Sequence, residues 1–140
     1  MSWPSLIILA TAQESDSIAA RIRSFGVRWD SVTNSDVLHW GGYSYSLDFS
    51  GRVLADFEPE EVDDISAKLG APFAIYVSCE SMDAARVLLP KVLEGFSGLI
   101  DTNHGDVIDF GDFTRLIKSH PQWDWRRTGV SELFDEVDGA

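Results

Sequence analysis

The pair Gly41-Gly42 separates two short runs, 36–40 and 43–49, and this constrains the fold more than any other feature. A two-residue turn between right-twisted strands needs positive φ angles that glycine adopts freely, so the pair marks a hairpin. In the second run Tyr43, Tyr45, Leu47 and Phe49 alternate with Ser44, Ser46 and Asp48. That period of two belongs to a half-buried strand. Ser50-Gly51 then turns the chain into a third arm at 52–57, which gives a three-stranded meander.

The remaining periodicities fall into strands and helices in alternation. Ile7, Ile8 and Leu9 form a first buried strand within 5–10. Ile18, Ala19, Ile22 and Phe25 share one face of a helix over 14–25 that Gly26 ends. Pro59 opens a helix over 60–69, with Val62, Ile65 and Leu69 on one face and its acids in the first turn, where the helix dipole favours them. A strand at 73–78 is followed by a helix over 82–93 that Ser81 can cap and that Pro90 should kink or shorten. A short strand at 97–100, a turn at 101–106, a small arm at 107–109 and a helix over 110–119 closed by Pro121 complete the pattern. Two strand–helix units echo one another, Glu14-Ser15 before Ala19-Ala20-Arg21-Ile22 and Glu80-Ser81 before Ala84-Ala85-Arg86-Val87. Together with the meander they imply an α+β, ferredoxin-like sandwich with a mostly antiparallel sheet and three to four helices. Tyr45, Leu47, Phe49 and Phe57 are expected to share one core with Ile8, Ile22, Val77 and Leu88.

The chain's 140 residues suit a single domain over 1–140, with 126–140 a flexible acidic tail. An apolar fraction of 44%, with five Trp and eight Phe, argues against disorder. No apolar run approaches the roughly 20 residues that span a bilayer, and residues 1–11 lack the basic start and processing site of a signal peptide. The one cysteine, Cys79, excludes an internal disulfide, reads as a buried small hydrophobe and suits a reducing, cytoplasmic compartment.

Charge carries the functional information. Of a net −12, a net −8 lies between residues 30 and 64, where Asp30, Asp36, Asp48, Asp56, Glu58, Glu60, Glu61, Asp63 and Asp64 are opposed by Arg52 alone. Such a surface repels nucleic acid and anionic lipid and attracts basic proteins. A solvated helix start accounts for Glu60 and Glu61, but not for carboxylates on neighbouring strands, where like charges cost stability. Asp56, Glu58, Glu60, Glu61, Asp63 and Asp64 are therefore the candidate partner-binding residues, with Trp40 or Tyr43 as an aromatic anchor beside them. Trp123 and Trp125, followed by Arg126 and Arg127, read as a cover for the open edge of the core.

No pattern specifies a catalytic centre, and no enzymatic activity or cofactor is expected. There is no G-x-S-x-G elbow (Gly95-Phe-Ser-Gly is one residue short), no phosphate loop and no dinucleotide fingerprint. His39, His104 and His120 are too scattered for a metal site. The run Asp101-Thr-Asn-His-Gly-Asp-Val-Ile-Asp-Phe-Gly-Asp112 resembles an EF-hand calcium loop, with Asp101, Asn103 and Asp109 as ligands. It departs from that pattern in placing Gly105 fifth rather than sixth, in ending on Asp112 rather than Glu, and in lacking an incoming helix. An acidic turn capping a helix explains the same residues.

The order of these pieces resembles small bacterial immunity proteins of polymorphic toxin systems, over nearly the whole chain. It comprises the Gly-Gly meander ending in Leu47-Asp-Phe-Ser-Gly51, the acidic helix, Gly70-Ala-Pro-Phe73, Asp101-Thr-Asn-His-Gly105 and His120-Pro-Gln-Trp-Asp-Trp125. The resemblance implies a small, acidic, single-domain cytoplasmic protein that neutralises a cognate toxin by binding it, while the complete strand–helix pattern with no ligand cluster points to a monomer or weak dimer. No catalytic residues carry over, and interface residues do not transfer between cognate pairs. A basic toxin, for instance a nuclease, is the expected partner. A regulatory adaptor, a nucleic-acid mimic and a small calcium- or ligand-binding domain are the alternatives.

Overall fold

The strands are β1 (Ser5–Thr11), β2 (Arg28–Asp30), β3 (Ser35–Trp40), β4 (Tyr43–Asp48), β5 (Pro72–Cys79), β6 (Leu99–Asp101) and β7 (Val107–Asp109). The helices are α1 (Ala12–Ser24), α2 (Pro59–Leu69), α3 (Met82–Leu93) and α4 (Phe110–Ser119), with a 3-10 helix at Arg52–Asp56. The computed structural model describes residues 3–133. All seven strands form one antiparallel sheet in the order β2-β3-β4-β5-β1-β6-β7.

β1 and β5 lie at the centre because their sequences, Leu6-Ile-Ile-Leu-Ala10 and Phe73-Ala-Ile-Tyr-Val77, are apolar on both faces. Leu6, Ile8, Ala10, Ile75 and Val77 point into the main core with α1, α3 and α4. Ile7, Leu9 and Ala74 point the other way, into a smaller cluster with Ile65 and Leu99. Each central strand leads into a helix on the main-core face, and each of these helices is capped by a hydroxyl. Thr11 accepts from the Glu14 amide at 3.2 Å, and Ser81 accepts from the Ala84 amide at 3.1 Å. The inner four strands, β4-β5-β1-β6, thus have the ferredoxin-like order, and the internal echo in the sequence marks its two halves. β3 and β2 extend one edge and β7 the other, so the sheet is larger than the four-stranded type. Gly98 permits the close approach of β6, because a Cβ there would lie 2.4 Å from the Leu9 carbonyl oxygen and 2.5 Å from the Phe110 ring.

Several expectations are corrected. The meander is β2-β3-β4, and 52–57 does not add a strand. The side of β4 it would occupy is taken by β5, which pairs Leu47 with Val77 and Tyr45 with Cys79. Val53, Leu54 and Phe57 instead have helical spacing and fold onto the second face of the sheet. Phe57 therefore leaves the main core, and Phe49 is only half-buried at its margin under the Arg23 guanidinium, 4.3 Å from the ring centroid. Pro90 does not shorten α3, which continues to Leu93. Trp123 and Trp125 cover the core as expected. They pack around Phe113, and their indoles donate to the Thr128 and Ser5 carbonyls at 2.8 and 3.1 Å. Of the expected tail, Val130 and Leu133 are buried, while 134–140 lies outside the described residues.

Candidate functional site

The acidic segment divides into two sets. Asp30 and Asp48 are occupied by turns, accepting from the Val32 and Ser50 amides, each at 2.8 Å. Asp36 is opposite Leu47 in the β3–β4 register and so lies on the other face of the sheet from Asp48. The strand carboxylates are therefore not stacked against one another, which removes the cross-strand repulsion expected from sequence. The other six are all exposed: Asp56 on the 3-10 helix, Glu58 at the N-cap of α2, and Glu60, Glu61, Asp63 and Asp64 on α2. None of them forms an ion pair among the described residues. Glu61 also accepts from the Glu58 amide at 3.1 Å, which fixes the first turn of α2.

The structure does not bring Trp40 and Tyr43 to these acids. Both are half-buried against the main core, on the opposite face of the sheet from α2. Trp40 is stacked on Phe25 with ring centroids 4.7 Å apart and planes 9° apart. The aromatics that do stand with the acidic helix are Phe57 and Tyr76. A row crosses the sheet on that face, with Asp48 of β4 beside Tyr76 of β5, Ile7 of β1, Asp101 of β6 and Val107 of β7. Over this row lies a groove of about 320 Å³, walled by Asp56, Phe57 and Glu61 and floored by Tyr76, Asp101 and Val107. A second hollow of about 140 Å³ shares Glu61 and Val107 and continues along α2 past Asp64 to Lys68.

Asp101 is the unusual member. Its residue is 7% exposed, and one oxygen accepts from the Asn103 amide at 2.7 Å. Its other oxygen accepts from no described residue, yet it is not sealed from solvent, since Arg86 Nε alone among the described side chains is both sealed and unpartnered. Burial pushes the Asp101 carboxyl above its ordinary value, against the Asn103 amide, with Glu61 and Asp106 adding to the rise. Sequence reasoning singled out Asp101 only for a calcium loop. Nothing local shows that it floors a groove, because the residues that wall it lie about 40 positions away in the sequence and on another element.

The EF-hand pattern serves other ends. Asp101 stands at the end of β6, and the Thr102 amide donates to the Asp106 carbonyl across the hairpin at 3.0 Å. Asp109 caps α4 by accepting from the Asp112 amide at 2.7 Å, and Asp112 pairs with Arg115. Among the described residues no group of three or more His, Cys, Asp or Glu is placed to hold a metal ion. His39 bonds Ser44 across the hairpin at 2.9 Å, and His120 follows the end of α4. Cys79 is buried, and desolvation pushes its thiol up to about 12. Behind the sheet, a groove of about 640 Å³ between α3 and α4 is lined by Arg86, Lys91 and Lys118 together with Glu94, so this side carries both signs of charge. No described helix is long and apolar enough to cross a membrane.

The chain matches no protein-family model, and no curated protein and no solved structure matches it significantly.

Proposed function

We propose that this protein is an immunity-type inhibitor that binds and neutralises a basic toxin, such as a nuclease, through the face formed by the 3-10 helix, α2 and the β6–β7 turn. The observation that carries this reading is the set of six exposed carboxylates with no cation of their own. Uncompensated like charges on one helix lower its stability, and a cationic partner relieves that cost at the moment of binding. The groove beside them adds half-buried aromatic surface, and desolvated aromatic contacts slow dissociation. No step of chemistry is required of the protein, since occlusion of the partner's basic site suffices.

Co-expression tests the reading. The product of the reading frame next to this one should be toxic on its own and harmless beside the parent chain. It should be toxic again beside a variant with Glu60, Glu61, Asp63 and Asp64 all changed to Lys. A neighbouring product that is harmless alone, or that stays toxic beside the parent chain, contradicts the proposal.

A further inference from the structure

On the acidic face, one groove brings carboxylates and apolar side chains together. Elsewhere on α2 the carboxylates project into water and can attract any cation at long range. In the groove, by contrast, the largely buried Asp101 is part of the lining, with one oxygen committed to the Asn103 amide and the other neither hydrogen-bonded to a described residue nor sealed from solvent. Glu61 and Asp56 stand on the wall above it. Phe57, Tyr76 and Val107 add apolar surface to a lining that is otherwise largely polar. A carboxylate this deep is costly unless a partner meets it. A second hollow beside it shares Glu61 and Val107, and the groove itself, at about 320 Å³, is larger than a small ion needs.

We propose that this groove seats one lysine or arginine side chain of the basic partner, its cationic head on Asp101 and Glu61 and its alkyl stem along Tyr76, Phe57 and Val107. The inference rests on the proposed function and refines it. The exposed acids of α2 steer the partner, and the groove holds it. Basic side chains bury their methylene stems readily while their heads seek charge, and an aromatic wall favours a flat guanidinium further. A free metal ion would make no use of the apolar side chains in that lining. The rise in the Asp101 carboxyl agrees with a site that lacks its counter-charge until the partner arrives.

Butylguanidinium and butylammonium chloride are suitable probes, titrated into the isotope-labelled protein and followed by NMR. Amide shifts should concentrate at Tyr76, Asn103 and Val107, and the Asp101 carboxyl should titrate at lower pH when the probe is bound. Asp101→Asn retains the acceptor for the Asn103 amide, so the hairpin is preserved while the charge is lost. It should weaken probe binding about tenfold, the typical worth of a charge-assisted hydrogen bond. Glu61→Gln tests the same groove from α2, should the first variant fail to fold. Shifts spread evenly over the acidic surface, or unchanged titrations in both variants, would overturn the groove assignment. That result is separate from the co-expression test: if the fourfold Lys variant fails to protect while Asp101→Asn protects like the parent, the acidic face stands and the groove does not.

Discussion

Asp101 shows how a single residue sets stability against availability. Its carboxyl is raised in the folded chain, chiefly by burial, so the folded state holds a proton more tightly than the unfolded state does. The resulting contribution to stability is fully present below the unfolded value, near 3.8, and is lost as pH rises through the folded value. Asp101→Asn, which cannot ionise, should therefore be more stable than the parent at neutral pH, with the difference shrinking as pH falls towards that of an ordinary carboxyl. Thermal unfolding of both proteins across pH 3 to 7 (roughly the range in which carboxylates titrate) checks this. An equal difference at every pH would mean that charge is not what Asp101 costs. The aromatic positions teach a related lesson. Alternation correctly turned Tyr45 and Leu47 inward, and the Tyr45 hydroxyl donates to the Ala84 carbonyl at 2.7 Å. Phe49, at the end of the same row, only reaches the margin of the core.

Among the elements, those with a strong period or a clear cap were legible. The helix after Pro59, the helix after Ser81, the arm at 107–109 and the helix at 110–119 all lie where spacing and capping residues placed them. The third strand of the meander was misplaced because a strand's neighbour is chosen by competition. β5 offers β4 a longer apolar partner, whereas Val53, Leu54 and Phe57 suit a helical turn. The groove was not legible at all, since it joins α2 to β6 across the second face and no local signal records that contact. The Asp101–Asp112 stretch yields a prediction at this scale. Here Asp109 serves α4 as its N-cap, so Asp109→Ala should cost about 0.5–2 kcal/mol in denaturant unfolding. Calcium or a chelator should leave the melting temperature of the parent unchanged. A rise of several degrees with calcium would restore the loop as a metal site.

For the whole molecule, the sheet acts as a partition. α1, α3 and α4 bury the main core on one face, with Arg86, Lys91 and Lys118 around their outer groove. The 3-10 helix and α2 cover only part of the other face and carry the unpaired acids. On the proposed function, the six exposed carboxylates on and beside α2, within a net charge of −12, would turn this face towards a basic partner during encounter. The central claim is that this face is the interface, and the association rate measures it most directly. Stopped-flow mixing with the purified product of the neighbouring reading frame, from about 0.02 to about 0.5 M salt, should give a rate for the parent that falls steeply as exposed charges are screened. The variant carrying Lys at 60, 61, 63 and 64, shown to be folded in the same samples, should associate at least about tenfold more slowly at low salt and lose most of that salt dependence. Equal rates and equal salt slopes for the two proteins would contradict the account and leave α2 a merely solvated helix.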